Sequence, residues 1–398
     1  MTEEGCMAIL DIGTAKSVAL VLRAGHGAQA YVAGSGLSGT AGLHKGKIVD
    51  HKALAMSIRT ALRQAEDNAG CRAEDILCGV SGTQVRTFIN RGATANGKEN
   101  KIVQQEDVNR AIEASKVLPL DSAQEIIHAL PQRFYVDGRE VSSLEGMHGL
   151  RLEVETAIMT GGQQQLDELA EVINNLGTAS LKRWIYGGTA MANTVLTDEE
   201  RQTTVLLMDI GAGTTEITLC YRQQPYYTMV LPIAGNHITG DLSIGLSIDQ
   251  NKAEQLKLGF EMAKANVSLR KDSLKANVSQ QLISEIIEAR LQEIFALIQA
   301  DILQAGHQIP PYVVLAGGTA NLPGMAKRLN ALWGSHVRIA MPPSLKGMPV
   351  NFYGPEFSSI AALSLFATSL TVPQESSDNR RPTNFFTRIS NFWQAFSD

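Results

Sequence analysis

The 398-residue chain is poor in cysteine, in aromatic residues and in charge. Its four cysteines, Cys6, Cys71, Cys78 and Cys220, show no metal-type spacing and are expected to be reduced thiols of a cytosolic protein. The eight histidines are scattered, which argues against a metal cluster; His128, in an apolar run, is expected to be a core residue. A net charge of −5 supplies no basic field, so nucleic acid is not expected as a partner. No apolar run reaches the ~18 residues of a membrane-spanning helix. The acidic start Met1-Thr2-Glu3-Glu4 lacks the form of a signal peptide. What the chain does have is 44% hydrophobic residues, enough for more than one core, so at least two domains are expected.

The most informative feature is a repeated tripeptide. Asp11-Ile12-Gly13 runs into Thr14-Ala15-Lys16-Ser17, and Asp209-Ile210-Gly211 runs into Ala212-Gly213-Thr214-Thr215-Glu216. Each copy ends an apolar strand and precedes another, Val18–Leu22 and Ile217–Tyr221. Small residues at such a tip let backbone N–H groups close on phosphate oxygens, while the strand-end Asp faces a hydrated metal ion. One Asp-x-Gly is an ordinary hairpin turn. Two, one per half of the chain, suggest a clamp around a nucleoside triphosphate. A third signal is the strand Val313–Ala316 followed by Gly317-Gly318-Thr319 and a helix start at Pro323-Gly324. Its glycines allow close approach of a flat ligand. The bland reading is a tight strand-to-helix turn.

The first half reads as α/β: strands at Ala8–Asp11, Val18–Leu22, Tyr31–Gly34 and Asp75–Val80, and a helix over His51–Asn68 whose Leu54, Ile58, Leu62 and Ala65 share a face. From Thr83 to about Ile158 the pattern shifts to a small α+β unit. It has a strand at Val85–Ile89, a turn-rich stretch Asn90–Asn100, a helix from Gln105, and strands at Gln124–Ala129, Arg133–Val136 and Arg151–Met159. A helix over Gln163–Gly177 and a strand Lys182–Tyr186 return to the first lobe. In the second half, Ser247–Phe260 and Val278–Leu303 read as helices, the latter amphipathic.

In this order, the two hairpins and the Gly-Gly turn resemble the actin/Hsp70/sugar-kinase ATPase superfamily. Further tracts sharpen the likeness: Ile127-His128-Ala129-Leu130-Pro131-Gln132, Gly146-Met147-His148-Gly149-Leu150-Arg151, Val195-Leu196-Thr197-Asp198-Glu199-Glu200-Arg201, Pro232-Ile233-Ala234-Gly235-Asn236 and Ala253-Glu254-Gln255-Leu256-Lys257. With these the chain resembles the FtsA family of bacterial cell-division proteins over nearly its whole length. It departs from that pattern at Ser142-Ser143-Leu144-Glu145, which lacks an Asn-Pro before Gly-Met.

The resemblance implies an actin-like two-lobed α/β ATPase fold with an inserted small α+β subdomain in the first lobe. The implied divisions are 1–82 and 159–195 for the first core, 83–158 for the insert, 196–240 and 308–370 for the second core, and 241–307 for its outer part. It implies ATP and Mg as cofactors, with Asp11 and Asp209 meeting the metal through water, and nucleoside contacts from Glu254 and Lys257. It implies FtsZ, further copies of the chain and later divisome membrane proteins as partners, with FtsZ on the outer second lobe. The implied location is the cytoplasmic face of the inner membrane. The segment Tyr186–Leu196 carries no Gln, Glu or Asp to orient a water, so slow hydrolysis is expected. The other readings weighed are a PilM-like pilus-assembly scaffold, which shares the fold, and a true phosphotransferase, which needs a catalytic carboxylate.

After Leu370 the composition breaks. Residues 371–384 are polar and Pro-containing, as in a flexible linker. In the final stretch Phe385, Phe386, Ile389, Phe392, Trp393 and Phe396 fall on one helical stripe. A tethered stripe of this kind suits a membrane interface; a helix docked on its own domain, or in a partner's groove, would show the same pattern.

Overall fold

The computed structural model describes residues 5–24, 30–97, 100–121, 123–144, 146–177, 179–263 and 280–371. The linker beyond Thr371, which is the last residue of a helix, and the aromatic stripe therefore lie outside the described residues. Strand β1 (Cys6–Ile12) opens with five buried residues in a row, the mark of a strand covered on both faces. It pairs antiparallel with β2 (Lys16–Ala24), which pairs antiparallel with β3 (Ala30–Gly39). A two-residue hairpin, β4 (Leu43–His44) and β5 (Lys47–Ile48), leads to α1 (His51–Ala69). The Asp50 side chain accepts from the N–H groups of Lys52 and Ala53, and Gly70 closes the helix in the left-handed region. The chain then enters β6 (Asp75–Val80), parallel to β1.

The insert follows. Its strands are β7 (Arg86–Ala95), β8 (Gln124–Val136), β9 (Arg139–Val141) and β10 (Arg151–Gly162), in the order β7-β10-β8-β9, with α2 (Gln105–Ser115) between β7 and β8 in sequence. Two expectations are corrected here. The stretch Asn90–Ala95 is strand, not turn: Gly92 is there because α2 lies against it, and a Cβ would meet the Ala111 carbonyl at 1.9 Å. Residues 124–136 form one strand, not two. Pro131, which cannot donate to the ladder, sits beside a register shift between Glu155 and Thr156.

Helix α3 (Gln163–Asn174) starts directly after β10, and β11 (Ser180–Tyr186) completes the first sheet, β11-β6-β1-β2-β3. Helix α4 (Gly187–Thr194) leads to the second sheet: β12 (Thr204–Ile210), β13 (Thr215–Tyr221) and β14 (Gln224–Leu231). Helices α5 (Gly235–Leu246), α6 (Gln250–Ala263) and α7 (Gln280–Gln304) intervene before β15 (Tyr312–Ala316). Then come α8 (Met325–Trp333), β16 (His336–Ile339) and α9 (Ser358–Thr371). This sheet runs β14-β13-β12-β15-β16, two antiparallel pairs and then two parallel ones, as in the first sheet read from β3 to β11.

One core fills the space between the two sheets. It includes Ile9, Leu20 and Leu22 from the first, Leu207 and Val314 from the second, and Ala190, Ile360 and Leu363 from α4 and α9. Separate cores lie under α1 and α3, under α5, α7 and α8, and within the insert. Of the residues whose spacing predicts the buried side of α7, Ile283, Ile287, Leu291, Ile294, Phe295 and Ile298 are buried and Ile286 is half-buried, while Leu282 is exposed, one step off the stripe. The cysteine expectation is overturned in part. The Glu74 N–H donates to the Cys6 carbonyl, which brings the start of β1 against the α1–β6 loop, and Cys6 is disulfide-bonded to Cys71. Cys78 and Cys220 are free and buried.

Candidate functional site

Both Asp-Ile-Gly tips have the same local geometry. Ile12 pairs with Ser17 and Ile210 with Thr215; the Gly13 N–H donates to the Lys16 carbonyl at 2.9 Å and the Gly211 N–H to the Thr214 carbonyl at 3.0 Å. The tips meet across a cleft between the lobes, where a Cβ on Gly213 would lie 2.4 Å from the Thr14 hydroxyl. The cleft holds about 410 Å³, within the range of small-ligand sites.

Asp11, Gly13, Thr14, Ala15, Lys16, Asp209, Gly211, Gly213, Thr214, Glu254, Lys257, Gly317, Gly318 and Thr319 all line it. Thr215 does not. As the first residue of β13 it alternates inward, is fully buried, and donates its hydroxyl to the Ile233 carbonyl at 2.6 Å. Gly317, at φ +85°, donates its N–H to the Pro355 carbonyl, and a Cβ there would lie 2.4 Å from the Asp209 carboxylate. The Thr319 hydroxyl donates to the Gly211 carbonyl at 2.8 Å, tying the Gly-Gly turn to the second tip. Lys257 is buried and donates to the Gly235 carbonyl, the Thr239 hydroxyl and the Glu254 carboxylate, the last at 2.7 Å.

The floor of the cleft is acidic. Burial pushes the Asp209 carboxyl up to about 7, with the Asp11 charge adding to the effect. Burial pushes Glu216 up to about 8, with Asp209 adding and a hydrogen bond from Ser81 opposing. Burial also raises Asp11, against a hydrogen bond from Ser359 and the charge of Lys16. Lys16 is lowered by burial, with Glu356, Asp11 and Asp209 opposing, and its ammonium sits 3.7 Å from the Phe357 ring centroid. Each carboxylate is enclosed by protein on most sides yet keeps an opening to cleft water. Such a group of carboxylates is stabilised by a cation. Among the described residues no cluster of three or more His, Cys, Asp or Glu is arranged to hold a metal directly.

Reading the sequence missed several cleft residues. Ser81 directly follows β6, Gln165 lies on α3, and Glu356 and Ser359 flank the start of α9. Glu216 is legible in hindsight, because it closes the second tip at a strand position facing the cleft. Tyr186–Leu196 supplies no carboxylate or Gln to the cleft, and Glu216 brings a carboxylate from β13 instead. His128 is buried, as expected of a core residue. Its Nε2 accepts from the Tyr186 N–H at 3.0 Å, and burial holds it near a pKa of 3.

Residues 206–362 match the family described as "Cell division protein FtsA", and residues 82–160 match the "SHS2 domain inserted in FTSA". The cell division protein FtsA of Borreliella burgdorferi is 32% identical over 370 residues, covering 90% of this chain and 89% of the relative. The chain belongs to the FtsA family of cell-division proteins. FtsA of Pseudomonas aeruginosa is 30% identical over 369 residues, covering 90% and 88%.

Solved structures confirm the actin-like fold of this FtsA-family chain. The PilM–PilN type IV pilus biogenesis complex superposes with a TM-score of 0.65 at 17% identity, covering 92% of this chain and 98% of that one. MreB5 of Spiroplasma citri bound to ADP gives 0.50 at 13% identity, covering 92% and 96%. These two likenesses are of fold.

Proposed function

We propose that this FtsA-family chain binds ATP with Mg²⁺ in the interlobe cleft and tethers an FtsZ ring to the cytoplasmic face of the inner membrane. The observation that carries the nucleotide reading is the pair of matched tips facing each other over buried carboxylates and Lys16. The tips' backbone N–H groups and Lys16 would take the phosphates, Asp11 and Asp209 the water shell of Mg²⁺, and Glu254 and Lys257 the nucleoside. When bound, Mg²⁺ supplies neutralising charge for the phosphates and the acidic floor. ATP acts here as a conformational ligand, favouring the lobe arrangement it binds more tightly. Turnover is slow, because the segment Tyr186–Leu196 carries no Gln, Glu or Asp to orient the attacking water.

In this reading the lobes divide as the family resemblance implies, with the insert over 83–158. The stripe Phe385, Phe386, Ile389, Phe392, Trp393 and Phe396 enters the membrane interface, each side chain contributing about 1.5–3 kcal/mol. Self-association multiplies this modest anchor. FtsZ binds the outer second lobe, and later divisome membrane proteins are recruited to the assembly.

The test uses the full chain, a chain lacking Phe385–Asp398, and Trp393→Glu. Mg-ATP at about 100 times Kd should raise the stability of all three by about 2.7 kcal/mol. Only the intact tail should carry FtsZ to vesicles in co-sedimentation. A wild-type chain without an ATP-dependent thermal shift would refute the nucleotide reading, and equal pelleting of the three chains would refute the anchor.

A further inference from the structure

The insert is joined to the first lobe by two crossings of the chain, and both lie beside the cleft. The chain enters through Ser81–Val85 after β6 and leaves at Gly162–Gln163, where β10 runs straight into α3. Strand β10 is the inner strand that pairs with both β7 and β8, so any tilt of the insert sheet is felt at the start of α3. The first turn of α3 is fixed to the insert as well. The Gln163 N–H donates to the Ala123 carbonyl at 2.8 Å, next to the start of β8.

Gln165 sits in this turn. Its Nε2 donates to the Gly46 carbonyl at 2.6 Å and to the Ser81 carbonyl at 3.3 Å. One amide on the exit crossing thus holds the entry crossing. Both amide protons are committed to protein carbonyls, so Gln165 is a positioning residue and leaves no donor for a ligand.

Its two acceptors touch the second lobe. Ser81 lines the cleft together with Glu216, whose ionised form it favours. Gly46, in the β4–β5 turn, lies where a Cβ would be 3.5 Å from the Thr214 methyl. The neighbouring Lys45 is close enough to act on the charge of His237 in α5. A continuous set of contacts therefore runs from the second tip, through Ser81 and Gly46, to Gln165 and the insert.

We infer that Gln165 couples occupancy of the phosphate end of the cleft to the orientation of the inserted subdomain. The inference rests on the nucleotide reading above. A ligand that shifts the second tip, with Thr214 and Glu216, moves the Gly46 turn and the Ser81 crossing; Gln165 passes that movement to β10. A terminal phosphate between the tips has this reach, so ATP and ADP set the insert differently.

The test is hydrogen exchange on the full chain without nucleotide, with Mg-ADP and with Mg-ATP, for wild type, Gln165→Ala and Gln165→Glu. The glutamate keeps the shape but loses the donors. ATP affinity is measured separately by displacement of a fluorescent ATP analogue. In wild type, amides of β7 and β8 should exchange about fivefold more slowly with ATP than with ADP, the low end of ordinary coupling. Both variants should bind ATP within about threefold of wild type and still protect the two tips, while the ATP–ADP difference in the insert disappears. A variant that keeps the insert's response, or a wild-type insert that does not distinguish the nucleotides, overturns the inference. Absence of ATP protection at residues 11–16 and 209–215 in wild type overturns the nucleotide reading itself, and the coupling with it.

Discussion

Replacing Glu216 by Gln should make the nucleotide-free protein more stable at alkaline pH and leave it unchanged at acid pH. Glu216 is raised from 4.5 to about 8 in the folded chain, so between those values the folded state holds a proton that the unfolded state releases. The unfolded state then binds fewer protons, and stability falls as pH rises through this window. Each pH unit over which the folded state alone holds the proton is worth about 1.4 kcal/mol. Water in the cleft reduces the penalty, and about 2 kcal/mol in total is expected. The glutamine keeps the shape of the protonated acid and removes the repulsion with Asp209. Melting curves followed by circular dichroism at pH 4, 6 and 8.5 should coincide at the lowest pH and diverge by a few degrees at the highest. If the two proteins track each other across the whole range, Glu216 is ionised in the folded state and the account of an acidic, desolvated floor is wrong.

Arg338→Ala should destabilise the second lobe by about 2–4 kcal/mol in urea unfolding, because Arg338 grips both oxygens of the buried Glu200 at 2.6 Å and the alanine leaves that charge unpaired. Restoring stability in Arg338→Ala/Glu200→Gln would confirm the cause. Gly317→Ala should abolish ATP binding in a fluorescence displacement assay and cost about 1–3 kcal/mol, since φ is +85° and the new methyl would meet Asp209. The ring protons of His128 should show no titration by NMR above pH 5, because burial lowers its pKa to about 3. His128→Leu should destabilise by about 1–3 kcal/mol through the unpaired Tyr186 N–H.

Much of the architecture was legible because it is written in local pattern. The apolar run of β1, the face of α1 bounded by Asp50 and Gly70, and the two Asp-Ile-Gly tips need no distant partner to be recognised. The errors arose where a local signal was overruled by something far along the chain. Gly92 looks like a turn residue until α2 is laid across it, and Pro131 looks like a strand end until the bulge at Gln132 in β8 itself accommodates it. Thr215 belongs to a phosphate-like motif, yet strand alternation turns its hydroxyl to Ile233. Gln165 and Ser81 carry no motif, and only the topology brings them to the cleft. The Cys6–Cys71 bond was hidden for the same reason.

The two tips share a register but not a chemistry. Where the first pairs Asp11 with Val18, the second pairs Asp209 with Glu216; where the first ends its turn on Lys16, the second ends on Thr214. A near-symmetric scaffold thus presents a cation on one jaw and an additional acid on the other. An elongated anion lying between them cannot be turned end for end at equal energy. The sequence difference between two copies of one hairpin is therefore what gives the cleft a direction.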